Sequence, residues 1–158
     1  VRGNFTLIPR DRGFSIAAPT ALSFGSWLKQ GRPFDGATVL YQTDVTVPAS
    51  SNRIKVELGE LSGTLAEVLV DGKRAGLIAW QPFHVEAAVT PGKHTVAVRL
   101  VSTPHNTLGP FHNPASRMRA WPGAWATFPE QQPAGAQYDL LDYGFTAAPT
   151  ISAAKVIQ

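Results

Sequence analysis

Apolar residues recur at every second position in several short segments, and this spacing most strongly constrains the fold. In residues 38–47 (TVLYQTDVTV), Val39 and Tyr41 share one parity while polar residues take the other. RIKVEL at 53–58 and TVAVRL at 95–100 alternate in the same way. Successive side chains of a strand point to opposite faces. Each segment is therefore predicted to be a strand with one buried face.

Turn signals separate these segments at the spacing of an antiparallel β-protein. Asp71-Gly72 lies between LAEVLV and RAGLIAW, which predicts a two-residue hairpin turn with positive φ at both positions. No window carries helical periodicity over three turns. The sequence therefore predicts an all-β, two-sheet antiparallel β-sandwich. Its predicted core is Val39, Tyr41, Val45, Val47, Ile54, Val56, Leu58, Val68, Val70, Val96, Val98 and Leu100.

Shorter β-like pieces flank this central region. FTLI and FSIA precede it, and QYDLL and TISAAKVI follow it. We expect these early and late strands to pair with each other and so close the sheets. After the central strands, residues 102–137 form a long stretch that is rich in Pro and aromatic residues and has no periodicity. Long loops of this kind are often functional.

Length and composition narrow the class of protein. A chain of 158 residues matches one typical domain, so residues 1–158 are interpreted as a single module. Charged residues make up 16%, too few for a long disordered segment or a coiled coil. No cysteine is present, which excludes disulfides and thiol chemistry. Because the sequence begins with Val1, we interpret it as a module excised from a larger multidomain protein.

Charge and hydropathy argue against two classes of partner. The net charge is +3, and the Lys and Arg residues are scattered rather than clustered into a stripe. Binding to nucleic acid is therefore not expected. No apolar run reaches the length that crosses a membrane, so a membrane partner is not expected either.

Four segments follow one another along the chain: SWLKQGRPFDGATVLYQTDVTVP, the run from IKVEL to LVST, HNTLGPFHNP and YDLLDYGF. The first resembles the opening, the second the core and the last two the tail of the galactose-binding-like jelly roll that is appended to large glycoside hydrolases, such as family 2 and rhamnosidase-like enzymes. The resemblance covers residues 22–145. The matching residues of the opening are Trp27, Gly31, Pro33, Phe34, Gly36 and Tyr41.

The resemblance implies a jelly-roll β-sandwich that serves as an ancillary module and is secreted or periplasmic. Its implied partners are an oligo- or polysaccharide and the catalytic domain of the same polypeptide. A structural calcium is also implied, with Asp11, Asp35 and Asp142 as candidate ligands that the sequence leaves unranked.

Catalysis by this chain alone is not expected. A glycosidase needs two carboxylates facing one sugar, and no spacing in the sequence pairs any of the 11 acidic residues. His105 and His112 lie seven apart without a neighbouring carboxylate at a metal spacing. No serine lies in a Gly-x-Ser-x-Gly elbow.

The predicted sugar contacts lie in the long stretch 102–137. An aromatic ring can stack on the C–H face of a sugar while polar side chains bond its hydroxyls. The residues that we predict to form this site are Phe111, His112, Asn113, Arg119, Trp121 and Trp125. Trp27 and Trp80 are expected to fill the ends of the sandwich as packing residues instead. The alternative is a scaffold that packs against a catalytic domain, with the same aromatic residues forming the interface.

Overall fold

The computed structural model describes residues 3–36, 38–108 and 132–154. The chain divides into two compact units. We call Val1–Gly36 with Thr103–Tyr143 the hairpin unit, and Ala37–Ser102 with Gly144–Gln158 the sandwich unit. The interpretation of residues 1–158 as one module stays a prediction.

The described elements are almost entirely strands. The strands are β1 (Thr6–Pro9), β2 (Phe14–Ala17), β3 (Thr38–Val47), β4 (Arg53–Glu57), β5 (Leu61–Ser62), β6 (Leu65–Val70), β7 (Lys73–Ile78), β8 (His84–Ala88), β9 (Gly92–Val101), β10 (Gly144–Phe145) and β11 (Thr150–Ala154). One helical turn, α1 (His105–Leu108), and a 3-10 turn at Gly135–Gln137 complete them.

The sandwich unit contains two larger antiparallel sheets. One has the strand order β3-β9-β6-β7, and the other has the order β11-β4-β8. β5 and β10 form a short additional pair. A Cβ on Gly76 of β7 would lie 2.8 Å from Val85 Cγ2 of β8, so the glycine leaves room where the two sheets face each other. This arrangement confirms the predicted two-sheet antiparallel β-sandwich.

The predicted core is largely confirmed. Nine of its members are buried: Val47, Ile54, Val56, Leu58, Val68, Val70, Val96, Val98 and Leu100. Val39, Tyr41 and Val45 are only half-buried, because they lie on β3 at one edge of the four-stranded sheet. The core also contains residues that alternation did not predict, among them Ala66, Ile78 and Phe145.

The β6–β7 turn has the predicted geometry. Asp71 has a φ of 51° and Gly72 a φ of 75°. The Asp71 carboxylate accepts hydrogen bonds from the Thr95 backbone N–H at 2.9 Å and from His94 Nδ1 at 2.7 Å. His94 Nε2 lies 2.7 Å from the Thr90 carbonyl oxygen. Since both ring nitrogens meet acceptors, the imidazolium form is favoured, and the hydrogen bond to Asp71 raises the pKa of His94.

The flanking strands pair differently from the prediction. Among the strands of the described ranges, β1 and β2 pair only with each other, whereas β11 pairs with β4 and β10 pairs with β5. QYDLL at 137–141 is not a strand. Its backbone N–H groups bond to partners outside any sheet. The Leu141 N–H donates to the side-chain oxygen of Asn106, and the Tyr138 N–H donates to the Gly135 carbonyl.

Candidate functional site

The hairpin unit contains a cleft of about 640 Å³ that is lined mainly by apolar side chains. We call it the aromatic cleft. Its lining residues are Gly3, Phe5, Leu7, Phe14, Ile16, Gly31, Arg32, Pro33, Phe34, Asp35, Gln132 and Tyr138. The volume falls within the range of about 300–1,000 Å³ that is typical of small-ligand pockets.

The turn of the β1–β2 hairpin positions the wall that carries Gln132 and Tyr138. The Gly13 N–H donates to the Pro133 carbonyl at 2.9 Å, and the Gly135 N–H donates to the Arg10 carbonyl at 2.8 Å. A Cβ at Gly135 would lie 2.2 Å from the Gly13 carbonyl oxygen, so only glycine permits this approach. The wall that carries Gln132 and Tyr138 is therefore held directly against the β1–β2 hairpin.

Gly31 positions the opposite wall. Its φ of 74° suits glycine, and a Cβ there would lie 3.0 Å from the Leu7 carbonyl oxygen. The Leu7 N–H donates to the Gly31 carbonyl at 2.8 Å, which joins the loop to β1. The buried Asn106 side chain donates to the Pro33 carbonyl at 2.8 Å. Together these bonds fix the loop that carries Arg32, Phe34 and Asp35.

Three rings form an edge-to-face cluster at the cleft. The centroid of Phe14 lies 5.3 Å from that of Phe34 and 5.1 Å from that of Tyr138. Phe34 and Tyr138 are 6.2 Å apart. Such T-shaped pairs add about 0.5–1.5 kcal/mol beyond the burial of their area. The cluster therefore gives the cleft a pre-formed aromatic lining.

The polar groups of the cleft are few and include one pair of opposite charges. Arg32 Nη2 donates to Asn4 Oδ1 at 3.0 Å and to the Thr20 carbonyl at 3.3 Å. Arg32 Nε is buried and has no acceptor among the described residues. Burial raises the pKa of Asp35, and the nearby Arg32 charge partly opposes this shift. Gln132 Nε2 donates to the Tyr138 hydroxyl at 3.0 Å.

The described lining of the cleft is poor in acidic side chains. Asp35 is the only acidic residue among the described lining residues, whereas hydrolysis by the common mechanism uses two carboxyl groups. Elsewhere in the described chain, several acidic side chains form ion pairs with basic ones on the sheet surfaces. These pairs are Arg53 with Glu86, Lys55 with Glu57, and Arg99 with Glu67.

The predicted sugar contacts are not among the residues whose structure is described. Phe111, His112, Asn113, Arg119, Trp121 and Trp125 all lie in 109–131, outside the described ranges. Trp27 is 1% exposed, which confirms that it is a packing residue, and it belongs to the hairpin unit. Trp80 is 78% exposed, so the prediction that it packs is wrong. It follows the last residue of β7 by two positions and lies in the connection to β8, where no strand face holds it.

The three candidate calcium ligands are not gathered into one site. No group of three or more His, Asp or Glu side chains that could hold a metal ion occurs in 3–36, 38–108 and 132–154. Asp142 accepts a hydrogen bond from Ser26 Oγ at 2.8 Å. A structural calcium stays a prediction. In the same described ranges, no helix is long and apolar enough to cross a membrane.

Sequence reasoning missed the aromatic cleft, although part of its signal was present. The Gly-x-Pro-Phe stretch at 31–34 was singled out as a family-like motif, and it forms one wall. Phe14 and Tyr138 lie far apart in sequence, and no periodic pattern connects them. The prediction that the early strands help to close the sheets assigns the side chains of the β1–β2 hairpin to packing rather than to a site.

Comparison with known proteins gives a likeness of fold. No protein-family model and no curated protein matches the chain. A rhamnosidase from Novosphingobium sp. PP1Y is 17% identical with a TM-score of 0.50, covering 93% of this chain and 14% of its own.

Two further solved structures have lower TM-scores. A GH2 β-galacturonidase from Eisenbergiella tayi is 22% identical with a TM-score of 0.45, covering 94% of this chain and 22% of its own. A β-D-glucuronidase from Dictyoglomus thermophilum is 15% identical with a TM-score of 0.45, covering 94% of this chain and 26% of its own. The chain thus spans about a quarter or less of each of these three proteins, and the likeness to the rhamnosidase shows that it shares the fold of one segment of that enzyme.

Proposed function

We propose that this chain is a non-catalytic carbohydrate-binding module of a glycoside hydrolase and that the aromatic cleft binds the sugar. The observation that carries the proposal is the composition of the cleft. A pre-formed cluster of three rings lies beside one carboxyl, one guanidinium and one amide in a cavity of about 640 Å³.

A pyranose ring matches this lining. Its C–H groups form apolar faces that pack on aromatic rings, and its hydroxyls both donate and accept hydrogen bonds. Asp35 can accept from a hydroxyl, whereas the Gln132 side chain can both donate and accept. Trp121 and Trp125 stay predicted sugar contacts of this chain, outside the described residues.

The fold likeness supports the setting of the proposal. One solved chain that shares this fold in one segment is a rhamnosidase, and this chain spans 14% of its length. A chain that covers so small a part of the rhamnosidase is compatible with an accessory module that lies beside a separate catalytic domain. By the same resemblance, the module is proposed to be secreted or periplasmic.

The test is a glycan-array screen of the folded chain, with and without a chelator, followed by calorimetric titration of the sugars that bind. Phe34→Ala should weaken binding at least tenfold, because a lost stacking contact of about 1.4 kcal/mol equals one decade of affinity. Gln132→Ala is a milder second variant, since Gln132 is exposed and its loss should leave the fold intact. Trp80→Ala is the matched control, because this exposed aromatic residue belongs to the sandwich unit.

Unchanged binding in both Phe34→Ala and Gln132→Ala would contradict the assignment of the cleft. Loss of binding in Trp121→Ala or Trp125→Ala alone would instead place the site on the late aromatic segment. Absence of binding to every glycan by the folded parent would refute the carbohydrate-binding function.

One observation favours the scaffold function as a second candidate. On the four-stranded sheet, Leu40 and Leu77 are 49% and 54% exposed. The register places them in one row across the sheet, with Arg99 and Glu67 between them. Large apolar side chains exposed on one face of a sheet can mark a protein interface. Leu40→Ser with Leu77→Ser should then weaken association with the catalytic domain while leaving sugar binding unchanged.

A further inference from the structure

We propose that the aromatic cleft selects an uncharged sugar over a uronate and that the Asp35 carboxylate accepts a hydroxyl hydrogen from it. This inference rests on the proposed function of the cleft and specifies its ligand class. Arg32 is the only basic residue among the described lining residues, and it would be the obvious partner of a uronate. The contacts of its guanidinium group argue against that role.

The guanidinium of Arg32 cannot present a two-nitrogen fork to a ligand. An arginine binds a carboxylate in a bidentate manner through two parallel N–H···O bonds. Either the Nη1 and Nη2 edge or the Nε and Nη2 edge of the guanidinium can make these bonds, so both arrangements need Nη2. Arg32 Nη2 is already committed to Asn4 Oδ1 and to the Thr20 carbonyl. Arg32 Nε is buried, so the edge formed by Nε and Nη2 is also closed to a ligand. Arg32 therefore acts mainly as a fixed positive charge.

Asp35 determines whether the cleft prefers a neutral sugar or a negatively charged one. Its carboxyl group is half-buried in the cleft, and a second carboxylate bound beside it would be repelled at short range in a partly desolvated site. A neutral hydroxyl has no such penalty. It would instead donate a charge-assisted hydrogen bond to Asp35, which is about twice as strong as a neutral one.

The charge balance of the cleft leads to the same conclusion. Arg32 compensates Asp35, so the described lining carries no net charge that would draw in an anion. The aromatic rings favour ligands with an apolar face and gain nothing from a carboxylate. Discrimination between sugars that differ only at C6 should thus depend mainly on Asp35.

Matched pairs of methyl glycosides provide the test: galactoside against galacturonide and glucoside against glucuronide, with rhamnoside as a further neutral probe. The members of each pair differ in a CH₂OH or a carboxylate at the same carbon. Calorimetric titration at neutral pH should show at least tenfold tighter binding of a neutral member than of its uronide. Asp35→Asn, which keeps the shape and removes the charge, should weaken the neutral sugar and narrow that ratio toward one.

Two results would overturn this inference while leaving the proposed function intact. One is a uronide that binds as tightly as its neutral partner or more tightly. The other is Asp35→Asn that binds the neutral sugar as the parent does, with an unchanged melting curve. If none of the probes and no glycan of the screen binds the folded parent, the proposed function fails and this inference fails with it.

Discussion

Replacing the buried Asn106 by Ala should destabilise the hairpin unit more than any other single change on α1. Asn106 is 2% exposed, and its amide donates to the carbonyls of Pro33 at 2.8 Å and Leu141 at 2.7 Å. Its own carbonyl accepts from the Leu141 N–H at 2.8 Å. The substitution removes three hydrogen bonds and leaves their backbone partners without a side-chain partner.

The magnitude follows from these three bonds. Each contributes about 1 kcal/mol net, and water can replace part of the two at Leu141 because they are only partly buried. The higher helix propensity of Ala returns up to about 0.7 kcal/mol. The expected loss is therefore about 2–3 kcal/mol, which lowers the melting temperature by roughly 4–12 °C in a chain of this size.

Urea unfolding followed by tryptophan fluorescence measures this loss, since Trp27 is buried in the same unit. Thr107→Ala is the matched control: it lies next to Asn106, and its hydroxyl makes one exposed bond of 3.3 Å to the Phe34 carbonyl. The control should change stability by less than about 0.5 kcal/mol. Asn106→Asp should be as harmful as Ala, because an oxygen would face two carbonyl oxygens. Equal stability of Asn106→Ala and Thr107→Ala would refute the reasoning.

Three further predictions concern the sandwich unit and the tryptophans. Gly72→Val should cost about 1 kcal/mol or more in unfolding free energy, because Gly72 has a φ of 75°. Gly59→Val, at a glycine with no atom within 4 Å of an added Cβ and no positive φ, should cost less; equal losses would contradict the turn argument. His94→Gln should remove a pH dependence of stability. The raised pKa of folded His94 stabilises the chain below about pH 6.5, and this contribution disappears as pH rises through the folded-state pKa. Urea titrations between pH 5 and 9 measure it, and parallel profiles of the two proteins would refute it. Trp80→Ala should change the melting curve little, whereas Trp27→Ala should cost about 3–5 kcal/mol; similar shifts would contradict their assigned burial.

The strands were predictable where local pattern and tertiary burial agree. Alternation placed β3 and β4 at their observed positions, and the alternating residues Ile54 and Val56 of β4 are buried. The turn at Asp71-Gly72 was predictable from the rarity of residues that tolerate positive φ. The pairing partners of the strands could not be predicted from the sequence. The register of β11 with β4, for example, depends on contacts between segments that are distant along the chain.

The candidate site was much less predictable. Its polar residues Arg32, Asp35 and Gln132 carry no local signal, and they meet only because glycines permit close backbone approaches at Gly31 and Gly135. The exposure of Trp80 could not be predicted either, because a residue just beyond the end of a strand can point into the core or into water.

The two walls of the aromatic cleft are far apart in the order of biosynthesis. The wall with Phe14 and Phe34 is made first, and every strand from β3 to β9 follows before Gln132 and Tyr138 emerge. At about 5–20 residues per second this interval lasts roughly 5–20 s. Throughout it, Phe14 and Phe34 lack the third ring of their cluster. The ring cluster therefore cannot be completed until Tyr138 is made, and a chain released after Ser102 would lack this ring altogether.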